Sequence, residues 1–295
     1  MGNPLEHRIR LRTHRMLALL AAACAPALLA ACLTLPGPAA NPPAAPGERS
    51  PRESPAEIRV FAAASLTDAF TAIARRFEAA HPGTRVALNF GASSTLRTQL
   101  EQGARADVFA PADRAQMDKA RAAGLIDGAP VVFAHNRLAV IVPKGNPAGL
   151  RGLRDLARSG LRLITAAPGV PIAEYTRQML AKLAGDDYGP DFADRVLANA
   201  VSQEPNVRQV VFKVAMGEAD AAIVYASDIT PDVADRLEVL SIPDRYNVTA
   251  SYPIAVVRQA PNPRGARAFV AFVQGPEAQA ILQQWGFIPV GSAPR

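Results

Sequence analysis

The stretch Ile58-Arg-Val-Phe-Ala-Ala63, which continues as Ala64-Ser-Leu-Thr-Asp-Ala-Phe-Thr-Ala-Ile-Ala-Arg-Arg-Phe77, changes its hydrophobic period part-way. The first six residues are mostly apolar, which is typical of a short buried strand. The residues that follow have apolar side chains at helical spacing, namely Leu66, Ala69, Phe70, Ile73, Ala74 and Phe77. A strand that leads directly into an amphipathic helix is the repeating unit of a parallel α/β sheet.

The same unit recurs along the chain. Further strands are predicted at residues 85–90, 106–110, 137–142, 161–165, 221–225 and 252–257. Further helices are predicted at residues 95–102, 112–123, 150–158, 171–183, 207–216, 263–273 and 276–285. This alternation predicts an α/β fold whose sheets are mostly parallel and flanked by helices.

The length of 295 residues permits one large domain or two domains of ordinary size. We predict two lobes with a hinged cleft between them: residues 57–137 with 252–295 form lobe 1, and residues 138–251 form lobe 2. Two crossings, near Asn136 and near Ser251, would make a hinge that closes over a ligand. Two consecutive domains without a return crossing are the alternative.

The amino-terminal region is typical of an exported protein. Four arginines between Arg8 and Arg15 precede an apolar run from Met16 to Leu35, as in a secretory signal. A transmembrane helix is the alternative, because the run is about the minimum spanning length, but Pro26 interrupts it. The run contains Leu29-Ala-Ala-Cys32, which resembles a bacterial lipobox. We therefore expect a lipoprotein signal peptide over residues 1–32, with cleavage before Cys32 and a lipid on that cysteine.

A spacer is predicted between this anchor and the folded part. Residues 33–56 are rich in proline and alanine and should form an extended tether. The protein would then stand in the periplasm or on the outer face of the cell membrane, held by lipid without spanning the bilayer; cleavage without lipidation is the alternative. Cys24 and Cys32 are the only cysteines, so the folded part contains no disulfide and no thiolate metal site.

The net charge disfavours one class of partner. The formal charge is +6, and the residues before Met16 contribute three of these units, since four arginines oppose Glu6 alone. The remainder is close to neutral, which argues against nucleic-acid binding.

Small hydroxyl residues follow two of the predicted strands. Ser65 comes directly after the first strand, and Ser93 follows the strand at residues 85–90. Helices that begin at the carboxyl ends of strands present free N–H groups and a positive dipole end, which favour an anion. Helix capping is the structural alternative for each serine.

The predicted second lobe supplies matching groups. Pro171 stands at a first helical position, which leaves the following amides free to donate, and Asn206 is a plausible cap before Val207. Tyr225 ends the predicted strand at residues 221–225, so that its hydroxyl can project into the cleft. A core tyrosine with a satisfied hydroxyl is the alternative.

Several motifs, taken in order, resemble a known family. They are Phe61-Ala-Ala-Ala-Ser-Leu-Thr-Asp68, Asn89-Phe-Gly-Ala-Ser-Ser-Thr-Leu96, Ala106-Asp-Val-Phe-Ala-Pro-Ala-Asp113, Asn206-Val-Arg-Gln209, Gly217-Glu-Ala-Asp-Ala-Ala-Ile-Val-Tyr-Ala-Ser-Asp228 and Tyr252-Pro-Ile-Ala-Val-Val257. Together they are similar to the periplasmic molybdate-binding proteins of molybdate and tungstate ABC transporters, from about Ile58 to Pro289.

The resemblance implies a two-lobed type II solute-binding fold and a monomer that delivers molybdate or tungstate to a membrane permease. It implies contacts to the oxyanion from the hydroxyls of Ser65, Ser93 and Tyr225 and from the backbone amides of Ile172 and Val207. No cofactor is implied, and molybdenum would be bound only as the oxyanion. Ile172 departs from the family, which often has alanine there, and the loop before it is one residue shorter.

The proposed contacts suit a fully deprotonated dianion. Molybdate and tungstate have only acceptor oxygens, whereas hydrogen phosphate retains a proton that needs an acceptor in the protein. No carboxylate is among the proposed contacts. Sulfate or another oxyanion remains the alternative ligand, because its discrimination depends on the size of the cleft.

A hydrolytic enzyme is the alternative from another class. The part beyond the tether contains His81 and His135, and neither has an evident acid or nucleophile partner in the sequence. There is no zinc-ligand spacing and no glycine-rich nucleotide loop. Ferric-ion binding is disfavoured because the tyrosines are never adjacent in the sequence. We therefore expect a binding protein and not an enzyme.

Overall fold

The computed structural model describes residues 56–290. The predicted signal peptide, the lipidation site Cys32 and the tether up to Pro55 lie outside these residues. The described residues belong to one compact unit. Within them, no helix combines the length and the apolar character needed to cross a membrane.

Strands and helices alternate along the described chain. The strands are β1 (Ala56–Ala63), β2 (Thr84–Gly91), β3 (Val108–Ala110), β4 (Ile126–Asn136), β5 (Leu138–Pro143), β6 (Leu163–Ala166), β7 (Ala200–Glu204), β8 (Ala221–Tyr225), β9 (Leu237–Leu240), β10 (Ala250–Val257) and β11 (Ile288–Pro289). The α-helices are α1 (Thr67–Ala80), α2 (Ser93–Glu101), α3 (Arg114–Ala122), α4 (Pro171–Ala184), α5 (Phe192–Ala198), α6 (Val207–Ala215), α7 (Pro231–Ala234), α8 (Pro263–Gln274) and α9 (Pro276–Gln284). Short 3-10 turns occupy Ala64–Leu66, Leu153–Ala157 and Ala226–Asp228.

The strands form two sheets. The first has six strands in the order β11-β4-β10-β3-β1-β2, and the second has five in the order β7-β6-β8-β5-β9. We call each sheet with its helices a lobe, and number the lobes in the same order. The chain passes from the first sheet to the second between Asn136 and Leu138, and it returns between Leu240 and Ala250.

The predicted α/β class is confirmed, but both sheets are mixed, whereas the sequence predicted mostly parallel ones. In the first sheet β1 pairs in parallel with β2 and β3, while β10 runs antiparallel to β3 and β4. In the second sheet β6 pairs in parallel with β7 and β8, while β5 runs antiparallel to β8 and β9. The antiparallel pairs involve the strands next to the crossings, where the chain changes sheet without a crossover helix.

Aromatic packing holds the helices of lobe 1 on their sheet. The ring of Phe70 on α1 lies 5.5 Å from Phe133 on β4 and 6.2 Å from Phe269 on α8. Phe77, two turns further along the same face of α1, has its ring 5.3 Å from that of Phe269. Burial of each such side chain stabilises the fold by about 1.5–3 kcal/mol, so the start of α1 is firmly placed at the end of β1.

In lobe 2 the corresponding element is α6. Its apolar stripe is buried against the second sheet, as the spacing predicts, and consists of Val207, Val210, Val211 and Val214. This packing fixes α6, which contacts the 3-10 turn Ala64–Leu66 of lobe 1.

Candidate functional site

A cavity of about 220 Å³, which includes solvent at its mouth, lies where the two lobes meet. Residues from both lobes line it: Ala63, Ala64, Ser65, Gly91, Ala92, Ser93 and Ala112 from lobe 1, and Val170, Pro171, Ile172, Asn206, Val207 and Tyr225 from lobe 2. All five residues that the sequence predicts as ligand contacts are among them. None of the residues that line this cavity carries a charge.

The two serines lie at the carboxyl ends of adjacent parallel strands. Ser65 occupies the 3-10 turn after β1, and Ser93 is the first residue of α2 after β2. Both side chains are buried, with 3% and 1% exposure. Neither serine caps its helix, since the capping positions Ala63, Leu66 and Ala92 make no side-chain cap hydrogen bond. The structure therefore gives no support to the capping alternative.

Each serine hydroxyl has one hydrogen-bond partner among the residues that the structure describes. The backbone N–H of Ala112 donates to Ser93 Oγ over 2.9 Å, so the hydrogen of Ser93 is left for another acceptor. Ser65 Oγ lies 3.0 Å from the hydroxyl of Tyr252. Both serines can thus donate into the cavity while they remain fixed in position.

Lobe 2 presents the starts of two helices to the cavity. Pro171 is the first residue of α4, so Ile172 lies in the first turn, and Val207 is the first residue of α6. Amides in the first turn of a helix have no intrahelical acceptor. The Asn206 side chain accepts the N–H of Gln209 over 3.2 Å and leaves the Val207 amide free. The positive ends of both helices therefore face the same space.

Tyr225 closes the cavity from the end of β8. Its side chain is 1% exposed, and its hydroxyl has no hydrogen-bond partner among the described residues. Burial, followed by the nearby Tyr252 and Tyr175, raises the pKa of Tyr225 well above its usual value. The phenol therefore stays protonated and can donate a hydrogen bond. An unpaired buried hydroxyl costs stability, so a ligand that accepts from it would remove that cost.

Two further tyrosines surround this ring. Tyr175 lies 6.1 Å from the Tyr225 ring and Tyr252 lies 5.8 Å from it, both in edge-on contact. Burial raises the pKa of Tyr175 to about 12, and it raises that of Tyr252 well above the usual value. The tyrosines that the sequence keeps apart thus gather here as neutral phenols.

Polar contacts also join the lobes beside the cavity. The guanidinium of Arg208 on α6 bonds the carboxylate of Asp68 on α1, and its Nε lies 3.7 Å from Asp228 Oδ1 within lobe 2. On another part of the rim, Gln116 Nε2 donates to the carbonyl of Gly169 over 3.2 Å. The sequence did not predict that Asp68 pairs with Arg208.

The described residues contain no group of three or more His, Cys, Asp or Glu side chains arranged to hold a metal ion. His81 is exposed and stacks on Phe77, while His135 Nδ1 lies 3.2 Å from Ser251 Oγ. Neither histidine lines the cavity. The cavity chemistry is therefore that of hydroxyl and amide donors.

Residues 58–288 match the family described as bacterial extracellular solute-binding protein. The chain belongs to that family. Two curated relatives of this solute-binding protein are molybdate-binding proteins ModA. The one from Mycobacterium bovis is 42% identical over 82% of this chain and 90% of its own length. The one from Escherichia coli K12 is 32% identical over 78% of this chain and 88% of its own length.

A solved structure agrees with the fold of this solute-binding protein. The periplasmic molybdate-binding protein of Azotobacter vinelandii matches it with a TM-score of 0.67 at 22% identity. The match covers 81% of this chain and 100% of that chain. The resemblance read from the sequence motifs is thus confirmed, together with the solute-binding fold.

Proposed function

We propose that this protein is the extracytoplasmic binding component of an ABC importer and that it binds molybdate, and also tungstate, in the cavity between its lobes. The observation that carries the proposal is a cavity built from neutral donors of both lobes without a charged side chain. The hydroxyls of Ser65, Ser93 and Tyr225 and the amides of Ile172 and Val207 are the proposed contacts. The molybdate-binding relatives support the choice of ligand.

The donors match the chemistry of a tetrahedral dianion. Each oxygen of molybdate accepts hydrogen bonds, and none donates. Hydrogen bonds to a charged group contribute about 1.5–3 kcal/mol each, so several of them offset the cost of desolvating the anion. Helix dipoles from α4 and α6 add to the attraction, which is why no lysine or arginine is required in the cavity.

The same features argue against the other functions. Ferric ions prefer anionic oxygen ligands, whereas burial keeps Tyr225, Tyr252 and Tyr175 protonated by raising the pKa of each phenol. The cavity lacks a general base, so a hydrolytic reaction finds no group to activate water. The protein in this proposal is not an enzyme and needs no cofactor.

In this proposal, closure of the two lobes explains how the anion is delivered to the importer. A ligand that touches both lobes favours their closed arrangement, and a membrane permease can recognise the surface that this arrangement presents. Residues 57–137 with 252–295 would move against residues 138–251.

The protein would act as a monomer tethered through lipid on Cys32. Metabolic labelling with a lipid precursor tests the anchor: replacement of Cys32 by Ala should abolish the label, and unchanged labelling would contradict the anchor.

Titration calorimetry of the purified protein with four anions tests the ligand. We expect tight binding of molybdate and tungstate, weaker binding of sulfate, and little binding of phosphate. Ser65→Ala should weaken molybdate binding while the protein remains folded. Tight binding of sulfate alone would support the alternative oxyanion, and a lack of heat with molybdate would overturn the proposal.

A further inference from the structure

A buried tyrosine behind the cavity controls the direction of one hydrogen bond inside it. We propose that Tyr252 fixes Ser65 as a donor toward the ligand, and thereby helps the protein to reject oxyanions that carry a proton. The inference rests on the proposed function and assigns Tyr252 a positioning role. Tyr252 does not line the cavity.

The Tyr252 side chain is fully buried, and burial keeps its hydroxyl protonated by raising its pKa well above the usual value. Its oxygen lies 3.0 Å from Ser65 Oγ. A buried hydroxyl hydrogen without an acceptor costs stability, whereas the hydrogen of Ser65 can reach a ligand in the cavity. The hydrogen of Tyr252 is therefore directed to Ser65.

Ser65 then accepts from inside the protein and donates outward. Ser93 has the same arrangement with a backbone donor, the N–H of Ala112. Both serines that line the cavity are thus supplied with internal donors, which leaves their hydrogens for the ligand. A fully deprotonated oxyanion accepts both of these hydrogens, whereas the P–OH group of hydrogen phosphate competes for oxygens that are already engaged.

Tyr252→Phe tests the proposal by removing the donor to Ser65 while keeping the ring. Binding of molybdate and of inorganic phosphate is measured by calorimetry at one pH, with competition where binding is weak. We expect molybdate to bind about three- to tenfold less tightly and the ratio of the phosphate Kd to the molybdate Kd to fall about tenfold. Tyr246→Phe is the matched control, since its hydroxyl bonds Asp186 away from the cavity, and it should leave the ratio unchanged.

A double-mutant cycle separates a role through Ser65 from a general loss of structure. In the Ser65→Ala background, Tyr252→Phe should not change the ratio further, because the residue that it positions is already gone. Thermal unfolding checks that each variant is folded. An unchanged ratio in folded Tyr252→Phe, or an equal change in the Ser65→Ala background, would overturn the inference. Wild-type protein that fails to bind molybdate would instead overturn the proposed function.

Discussion

At the level of a single residue, removal of the Tyr225 hydroxyl allows an effect on ligand binding to be separated from an effect on stability. It is buried and unpaired in the described part of the chain, so Tyr225→Phe removes an unsatisfied group. We expect the variant to unfold at the same temperature as the wild type or slightly higher, and to bind molybdate about 10- to 100-fold more weakly. Calorimetry and thermal denaturation of the ligand-free protein measure the two effects. A loss of stability without a loss of affinity would show that the hydroxyl is structural.

Asp228 gives the protein a predictable response to pH. Burial raises its pKa from 3.8 to about 7, although Arg208 opposes the shift. A raised pKa means that the folded state holds the proton more tightly, so this contribution to stability is complete below pH 4 and is lost as the pH rises to about 7. Asp228→Asn should remove this decline, on the order of a few kcal/mol, in denaturant unfolding measured from pH 4 to pH 8. Because other carboxyl groups titrate in both proteins, the test is the difference between their two curves of unfolding free energy against pH. Parallel curves would show that Asp228 does not cause the decline.

At the scale of single residues, the sequence predicted which residues meet at the cavity, because each of them lies at a strand end or a helix start. That these residues bind the oxyanion stays a prediction. The sequence did not predict that Asp68 pairs with Arg208 or that Ser65 pairs with Tyr252. Those partners are 140 and 187 positions apart, and only the folded chain brings them together.

At the scale of an element, the start of α6 allows one amide to be removed without removing the helix. Val207 is the first helical residue, a position that tolerates proline, and Asn206 before it is already extended with φ −158° and ψ 165°. Val207→Pro should therefore keep the fold and weaken molybdate binding about tenfold or more. Val207→Ala, which keeps the amide and loses apolar contact, is the matched control and should bind nearly as the wild type does. Equal affinities of the two variants would exclude the amide as a ligand contact.

Elements with a clear period were predicted from the sequence, and those without one were missed. β1, α1, α4 and β8 lie close to their predicted positions because the two strands are short, largely buried apolar runs and the two helices bury apolar residues at helical spacing. β4 was missed: it begins with Asp-Gly-Ala-Pro after its first residue, and its first half is largely exposed. The helix predicted at residues 150–158 is only the 3-10 turn Leu153–Ala157. The short elements α5, β7 and β9 were also missed, since a few residues carry too little periodicity.

At the scale of the whole molecule, the contact between Arg208 and Asp68 joins the lobes through two residues that do not themselves line the cavity. Asp68→Asn removes the charge that opening would separate, while Arg208 keeps its other carboxylate, Asp228. We expect ligand release to accelerate by up to about fivefold, since a partly exposed ion pair contributes about 0–1 kcal/mol. The effect should shrink at high salt. Stopped-flow release of molybdate measures it.

Glu277→Gln is the control for that experiment. Glu277 pairs with Arg76 inside lobe 1, so its loss should leave the release rate unchanged. An equal acceleration in both variants would mean that the Asp68 pair does not act between the lobes.

The arrangement of the sheets is where local sequence patterns carry least information. A pattern of alternating strands and helices predicts an α/β fold, but the direction of a strand depends on where the chain re-enters its sheet. β10 enters the first sheet between β3 and β4, after more than a hundred residues spent in other elements, and runs antiparallel to both. The mixed character of the sheets follows from that return path, which no window of sequence contains.

The pairing of Asn136 with Ala250 places both inter-lobe connections at the same rung of the β4–β10 ladder. Two covalent links that leave a rigid sheet side by side permit tilting about the line that joins them, and they resist sliding and twisting. Such a connection leaves the lobes one low-energy motion relative to each other, which is rotation about that line. We therefore expect the opening of the molecule to be one concerted rotation, so that release of the anion follows a single exponential.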